Sequence, residues 1–149
     1  MEKEKQLCIS HQAHAQRIFD LFKFLPNRFG FGSLWWVDEE LWKEKIPRYD
    51  SQSTRKAHPG LSIRQTPLVS PYEAIPFLHG TSKKGGKSIM VHGLSKDENH
   101  TSYFGRIKSP IFIGLEFVLK KVHPNKKKPQ LNHDEQKALH AWLKEKGLS

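Results

Sequence analysis

The stretch AIPFLHGTSKKGGKSIMVHGL, from Ala74 to Leu94, decides between two very different folds. Its glycines and lysines suggest a phosphate-binding loop, which reads G-x-x-x-x-G-K-[ST] and opens a helix. Here five residues separate Gly80 from Gly86, one too many, and the run after Ser88 is short, β-branched and closed by a glycine. Such a run predicts a strand. The sequence therefore favours a β-hairpin, with AIPFLHGT and SIMVHGL as strands and SKKGGK as the exposed tip.

The segments on either side extend this β pattern. Further strand-like runs are SLWWV, HPGLSIR and SPIFIGLEFV, which Pro, Gly and Ser clusters separate. Between the first two, DEELWKEKIPR is a polar segment that is expected to form one helical turn. Five short strands without alternating helices predict a small barrel or sandwich rather than a parallel sheet.

A helix is predicted at each end of this β region. Apolar residues recur at helical spacing in 11–25, and Pro26 ends that pattern. Near the other end, Asn132 and Glu135 have the spacing of a capping box, and Gly147 stands where the helix would stop. We predict a mainly β, α+β single domain over 1–149: a helical extension (1–32), a barrel (33–119), a basic link (120–131) and a C-terminal helix (132–147).

Composition restricts the partners and the compartment. The 25 Lys and Arg outweigh 15 Asp and Glu, giving a formal charge of +10 and favouring polyanionic partners. The one cysteine, Cys8, excludes an intramolecular disulfide and fits a reducing compartment. No apolar run approaches the roughly 20 residues that span a bilayer, and the charged N-terminus does not fit a secretory signal. We expect a cytoplasmic protein without a membrane partner.

Motifs between Leu34 and Val118 follow one another in an informative order. The aromatic strand SLWWV precedes RKAHPGLSI, then HGTS, then HGLSKDENHTSYF and the apolar IFIGLEFV. In this order they resemble the MazF/PemK family of toxins, ribonucleases of toxin–antitoxin modules with an SH3-like barrel that the CcdB gyrase poisons share. One position departs from the pattern. Many members have arginine directly before the strand-opening proline, whereas this chain has His58, with Arg55 and Lys56 just upstream.

The resemblance implies a reaction and a set of partners. It implies metal-independent cleavage of single-stranded RNA, in which the substrate's own 2′-OH attacks phosphorus and leaves a 2′,3′-cyclic phosphate. It also implies a homodimer and an acidic antitoxin protein that occupies the RNA groove. Such a reaction needs proton transfer and stabilisation of phosphoryl charge, and we expect no cofactor.

Side chains at the matched positions supply these functions. Imidazole titrates near neutrality, guanidinium binds phosphate through two bonds, and hydroxyls donate to phosphoryl oxygens. The candidate catalytic residues are His58, Arg55, Thr81 and Ser82. Basic and aromatic side chains that alternate are typical of RNA contacts. The candidate RNA-binding residues are Lys56, Lys83, Lys87, Tyr103, Phe104 and Arg106.

Structural roles fit several of these residues equally well. His58 also fits an ordinary loop histidine, the cations a solvated surface, and the Thr81–Ser82 pair a turn. His79, His92 and His100 are typical of packing or surface histidines. The nine histidines lack zincin spacing, and with one cysteine we predict no metal site.

The alternative function is a non-catalytic module of the same fold that binds nucleic acid or protein, including a CcdB-like gyrase inhibitor. The lack of arginine at position 58 motivates it. Convergence of Arg55 or Lys56 with His58 and Thr81 on one open groove would favour the enzyme.

Overall fold

The computed structural model describes residues 29–49, 56–65, 74–83, 88–94 and 101–148. Within these ranges the strands are β1 (Leu34–Asp38), β2 (Ala57–Ser62), β3 (Ala74–Thr81), β4 (Ile89–His92), β5 (Thr101–Phe104), β6 (Ile111–Gly114) and β7 (Val122–Pro124). The helices are α1 (Glu39–Lys45), α2 (Leu115–Lys121) and α3 (His133–Glu145). This confirms the mainly β, α+β class. The helix predicted at 11–25 lies outside the described residues.

The strands form one antiparallel sheet in the order β4-β5-β3-β2-β1-β7, and β6 pairs with β3 beside this path. β3 organises the sheet because it has three partners. Its first half pairs with β6 and its last two residues with β5, while β2 runs along its other edge. The end strands β4 and β7 do not pair with each other in the described parts of the chain. The sheet is therefore not closed into the predicted barrel.

The predicted hairpin between β3 and β4 is wrong. β5 lies between these two strands, and Phe104 of β5 is the partner of both Gly80 in β3 and Ile89 in β4. The segment TSYF, which forms β5, carries two polar residues and was not predicted as a strand. The strand predicted after Ser88 is confirmed, and it is β4.

The boundaries near the C-terminus also differ from the prediction. SPIFIGLEFV is a strand only over Ile111–Gly114, and α2 begins at Leu115. The basic link predicted over 120–131 includes β7, which pairs with β1 through the partners Trp36 and His123. Three residues of strand pairing suffice to incorporate this segment into the sheet.

The C-terminal helix is confirmed, with its predicted cap. The Asn132 side chain accepts a hydrogen bond from the Glu135 backbone N–H at 2.8 Å, and the Asn132 N–H donates to Glu135 Oε1 at 2.9 Å. These bonds satisfy donors that the first helical turn leaves unpaired. No helix among the described residues has both the length and the apolar character needed to cross a membrane.

Two apolar clusters pack against the sheet. One cluster joins α1 and α2 to Val37, Ile75 and Phe77, while the other joins α3 to Leu78, Phe104 and further strand residues. Neighbouring residues such as Phe77 and Leu78 belong to different clusters because successive side chains of a strand point to opposite faces. The face that carries α1 also carries the candidate site.

The contacts around Gly80 explain why the HGTS motif has a glycine at this position. A Cβ at this position would lie 2.6 Å from Phe104 Cε1 and 2.8 Å from Pro59 Cγ. The Phe104 ring therefore packs directly on the β3 backbone, which any larger residue at position 80 would prevent.

Candidate acid–base site

Glu39 and His58 form the centre of the site. Glu39 is the first residue of α1, and its backbone N–H donates to the Lys56 carbonyl at 2.8 Å, which fixes the helix start against the entry of β2. Its carboxylate Oε2 is paired with Nδ1 of His58, and the two side chains are only 6% and 12% exposed. This contact orients the imidazole and leaves Nε2 as the ring nitrogen that the carboxylate does not use.

His79 of β3 lies beside this pair. Its ring centroid is 5.5 Å from that of His58, and its Nε2 is 3.0 Å from the Tyr49 hydroxyl. The indole of Trp42 packs edge-on against the His79 ring at 4.8 Å. Trp42 Nε1 also donates to the His58 carbonyl at 3.3 Å. Two histidines, a tyrosine and a carboxylate thus occupy one partly buried cluster.

His79 is held in its neutral form. Burial lowers its pKa from the ordinary 6.5 to about 3, with smaller contributions from His58 and the Arg106 guanidinium. Because it carries no charge at neutral pH, His79 acts there through hydrogen bonds alone.

Tyr49 is shifted in the opposite sense. Burial raises its pKa above the usual range of a phenol, and a hydrogen bond with Glu39 and the charge of that carboxylate raise it further. An ionised carboxylate only accepts hydrogen bonds, so when the Tyr49 hydroxyl donates to Glu39 it must accept the bond from His79 Nε2–H. This assignment leaves His79 Nδ1 without a proton.

Two buried polar atoms of the cluster have no hydrogen-bond partner among the described residues. They are Glu39 Oε1 and His79 Nδ1. Leaving a buried polar atom unpaired costs about 1–3 kcal/mol, so such atoms call for an explanation, of which a catalytic role is one. Both atoms belong to the same four-residue cluster, which marks it as the candidate site.

The predicted catalytic residues are only partly brought together. His58 lies in the cluster, and Thr81 is half-buried at the end of β3, two residues beyond His79. The Thr81 hydroxyl accepts a bond from the Lys83 N–H at 3.3 Å, which is the turn role that the sequence allowed. Ser82 is exposed, and Arg55 lies outside the described residues.

The predicted RNA contacts separate into surface and core. Lys56, Lys83 and Arg106 are exposed, Tyr103 is half-buried, and Lys87 lies outside the described residues. The prediction for Phe104 is wrong, because its side chain is 0% exposed in the core and no base can stack on it. Arg106 lies close enough to His79 to oppose its protonation, which brings a cation to the edge of the cluster.

Sequence reasoning missed three members of the cluster. Glu39 lies in a polar helical run, Tyr49 follows a proline–arginine turn, and His79 was predicted as a packing or surface histidine. His79 does pack, but its bond to Tyr49 and its proximity to His58 place it in the site. The strand spacing of His79 and Thr81 was the available signal, since alternate residues share a face.

No group of three or more potential metal ligands occurs in the described part of the chain. Comparison with known proteins adds no identification: no protein-family model matches the sequence, and no curated protein matches it. The residues of the site therefore carry the functional argument.

Proposed function

We propose that this protein is an endoribonuclease of MazF/PemK type that cleaves single-stranded RNA without a metal. The observation that supports this most directly is the pairing of Glu39 with His58 Nδ1. A carboxylate that holds one imidazole nitrogen prepares the other, Nε2, to accept a proton. His58 also stands directly before the strand-opening proline, at the position where many members of the resembled family have arginine.

In the proposed reaction His58 Nε2 takes the proton of the substrate's 2′-OH. The 2′-oxygen attacks the adjacent phosphorus, the bond to the 5′-oxygen breaks, and solvent water donates a proton to the leaving oxygen. Thr81 and Ser82 donate hydrogen bonds to the phosphoryl oxygens, while Arg55 and Arg106 compensate their charge. The net charge of +10 favours the approach of a polyanion.

The test is cleavage of a long RNA in the presence of EDTA, followed by analysis of the ends. We expect 2′,3′-cyclic phosphate and 5′-hydroxyl ends. Intact RNA, or cleavage that EDTA abolishes, would contradict the proposal.

Substitution of His58 identifies the catalytic group. His58→Ala leaves the Glu39 carboxylate buried without its partner and is expected to destabilise the fold. His58→Asn is the better variant, because the Asn amide can still donate to Glu39 from near the Nδ1 position but has no proton-accepting nitrogen at the Nε2 position. We expect a rate lower by about 10²- to 10⁴-fold with little change in RNA affinity. The control is His133→Asn, at an exposed histidine of α3.

The second candidate is a non-catalytic module that binds nucleic acid or protein. The same Glu39–His58 contact favours it in a different way, because the contact fastens α1 to β2 and needs no catalytic role. RNA that is bound but left intact by wild-type protein would support this function.

A homodimer and an acidic antitoxin are the partners that the proposed class implies. The positive charge supports an acidic partner, since opposite charge accelerates association. Light scattering on a sizing column at micromolar concentration tests the dimer, and a monomer there would contradict it.

A further inference from the structure

Three side chains beyond the acid–base cluster form a row across the sheet. Thr81 of β3 pairs with Tyr103 of β5, and Tyr103 pairs with Met90 of β4. Residues that face each other in antiparallel strands project from the same face. The adjacent positions Phe104 and Ile89 are buried in the core on the other face, as alternation requires.

Extension of the β2–β3 register leads from this row toward His58. The pairing of β2 with β3 ends at Gly60 and His79, and the same register extended two residues further would set His58 across from Thr81. The 5.5 Å between the rings of His58 and His79 agrees with both residues projecting from this face. Neighbouring strands are about 4.8 Å apart, which places Tyr103 roughly 10 Å from His58 along the row. That is the scale of a nucleoside with its phosphate.

The chemistry of the outer row fits an unpaired base. Met90 is 54% exposed and Tyr103 half-buried, so an apolar and aromatic surface faces outward beside the site. Lys83 and Arg106 are exposed close in sequence to Thr81 and Tyr103. Aromatic rings accept bases of any sequence by stacking, adjacent cations follow the phosphates, and a methionine thioether adapts to an aromatic neighbour.

We propose that Tyr103 and Met90 form a stacking platform for one unpaired nucleobase next to the nucleotide whose 2′-OH reacts at His58. The proposal rests on the proposed function for the identity of its ligand, RNA. It assigns Met90 a binding role and gives Tyr103 a partner and a position relative to the reacting phosphate. Continuity with His58 and the positive charge beside the row favour RNA over an apolar partner.

The experiment measures RNA binding without cleavage. All proteins carry His58→Asn, and fluorescence anisotropy follows a labelled single-stranded oligouridine and an abasic oligomer of the same length. Tyr103→Ala is expected to weaken oligouridine binding by about 5- to 150-fold, the usual value of one base–aromatic stack. Tyr103→Phe keeps the ring and is expected to bind within about twofold of the parent.

Two controls separate stacking from other causes. Phe112→Ala removes an aromatic that is 57% exposed on β6, where its strand partner is Pro76 of β3, and is expected to leave binding unchanged. The abasic oligomer keeps its phosphates, so Tyr103→Ala is expected not to affect its binding. For the same reason Tyr103→Ala leaves the salt dependence of oligouridine binding intact, whereas Lys83→Ala reduces its slope.

Unchanged oligouridine binding by Tyr103→Ala overturns the platform, as does an equal loss for the abasic oligomer or failure of the parent to bind either RNA. Cleavage by the protein with native His58 is scored separately. Binding that depends on Tyr103 without cleavage supports the platform and refutes the proposed enzyme. Cleavage combined with binding that does not depend on Tyr103 supports the enzyme and refutes the platform.

Discussion

Acidification is expected to destabilise this fold through His79. The ring lies against Trp42, Tyr49 and His58, with the Arg106 guanidinium nearby. Burial lowers its pKa from 6.5 in the unfolded chain to about 3 in the folded protein. Below pH 6.5 His79 binds a proton in the unfolded chain but not in the folded protein. Stability is therefore complete above that pH and falls as the pH drops toward 3.

The size of the effect follows from the two pKa values. Each pH unit within the window costs about 1.4 kcal/mol, so lowering the pH from 7 to 5 removes about 2 kcal/mol of unfolding free energy through His79. A small domain is stable by only about 5–15 kcal/mol, which makes the loss easy to detect.

The assay is urea unfolding at pH 7 and pH 5 of the wild type and of His79→Gln. For each protein we compare the change in unfolding free energy between the two pH values. A variant that is less stable at both pH values therefore does not affect the comparison. We expect the wild type to lose about 2 kcal/mol more than His79→Gln. His123→Gln, at an exposed histidine of β7, is the matched control and is expected to behave like the wild type. Equal losses in the wild type and His79→Gln would refute the argument that burial keeps His79 neutral.

Two further predictions concern the fold. Gly80→Ala is expected to cost about 1–3 kcal/mol in urea unfolding, because its Cβ would lie 2.6 Å from Phe104. Gly114→Ala, whose Cβ meets only Phe117 at 3.8 Å, is the control, and equal losses would contradict the packing argument. Asn132→Ala is expected to cost about 1 kcal/mol through loss of the α3 cap, while Asn132→Asp retains the acceptor. A loss as large for Asp as for Ala would show that the cap is not responsible.

Local signals in the sequence predicted several elements well. The β3 strand has the bounds Ala74–Thr81 that AIPFLHGT predicted, and α3 begins after the predicted Asn132 cap. In both cases the deciding information lies within a few residues: an apolar run bounded by polar residues, and a reciprocal capping pair. Such features need no knowledge of the rest of the chain.

Elements that depend on distant partners were predicted less well. Glycines and lysines after Thr81 indicate a turn but do not determine which strand pairs with β3, and β5 takes that place with two polar residues in its sequence. In IFIGLEFVLKK, Leu115 and Val118 are both buried at helical spacing. The apolar run before them continues without a break, so the change from strand to helix spacing at Leu115 was not predicted.

The acid–base cluster shows the same limit. His58 was predicted because the motif resemblance matches the position directly before Pro59. Glu39 had no such signal, because glutamate in a polar run is usually solvated. Its burial results from the packing of α1 on β2, which brings together residues 19 positions apart.

That packing links the core to the site. Glu39 and Trp42 are three residues apart on α1 and therefore share one helix face. Trp42 fills the space above Gly60, where a Cβ would meet Val37 at 3.0 Å, Phe77 at 3.2 Å and Trp42 at 3.4 Å. The same helix face then places the Glu39 carboxylate on His58. A single docking interaction thus completes the apolar cluster and orients the candidate base, so a substitution that moves α1 away from β2 alters stability and site geometry together.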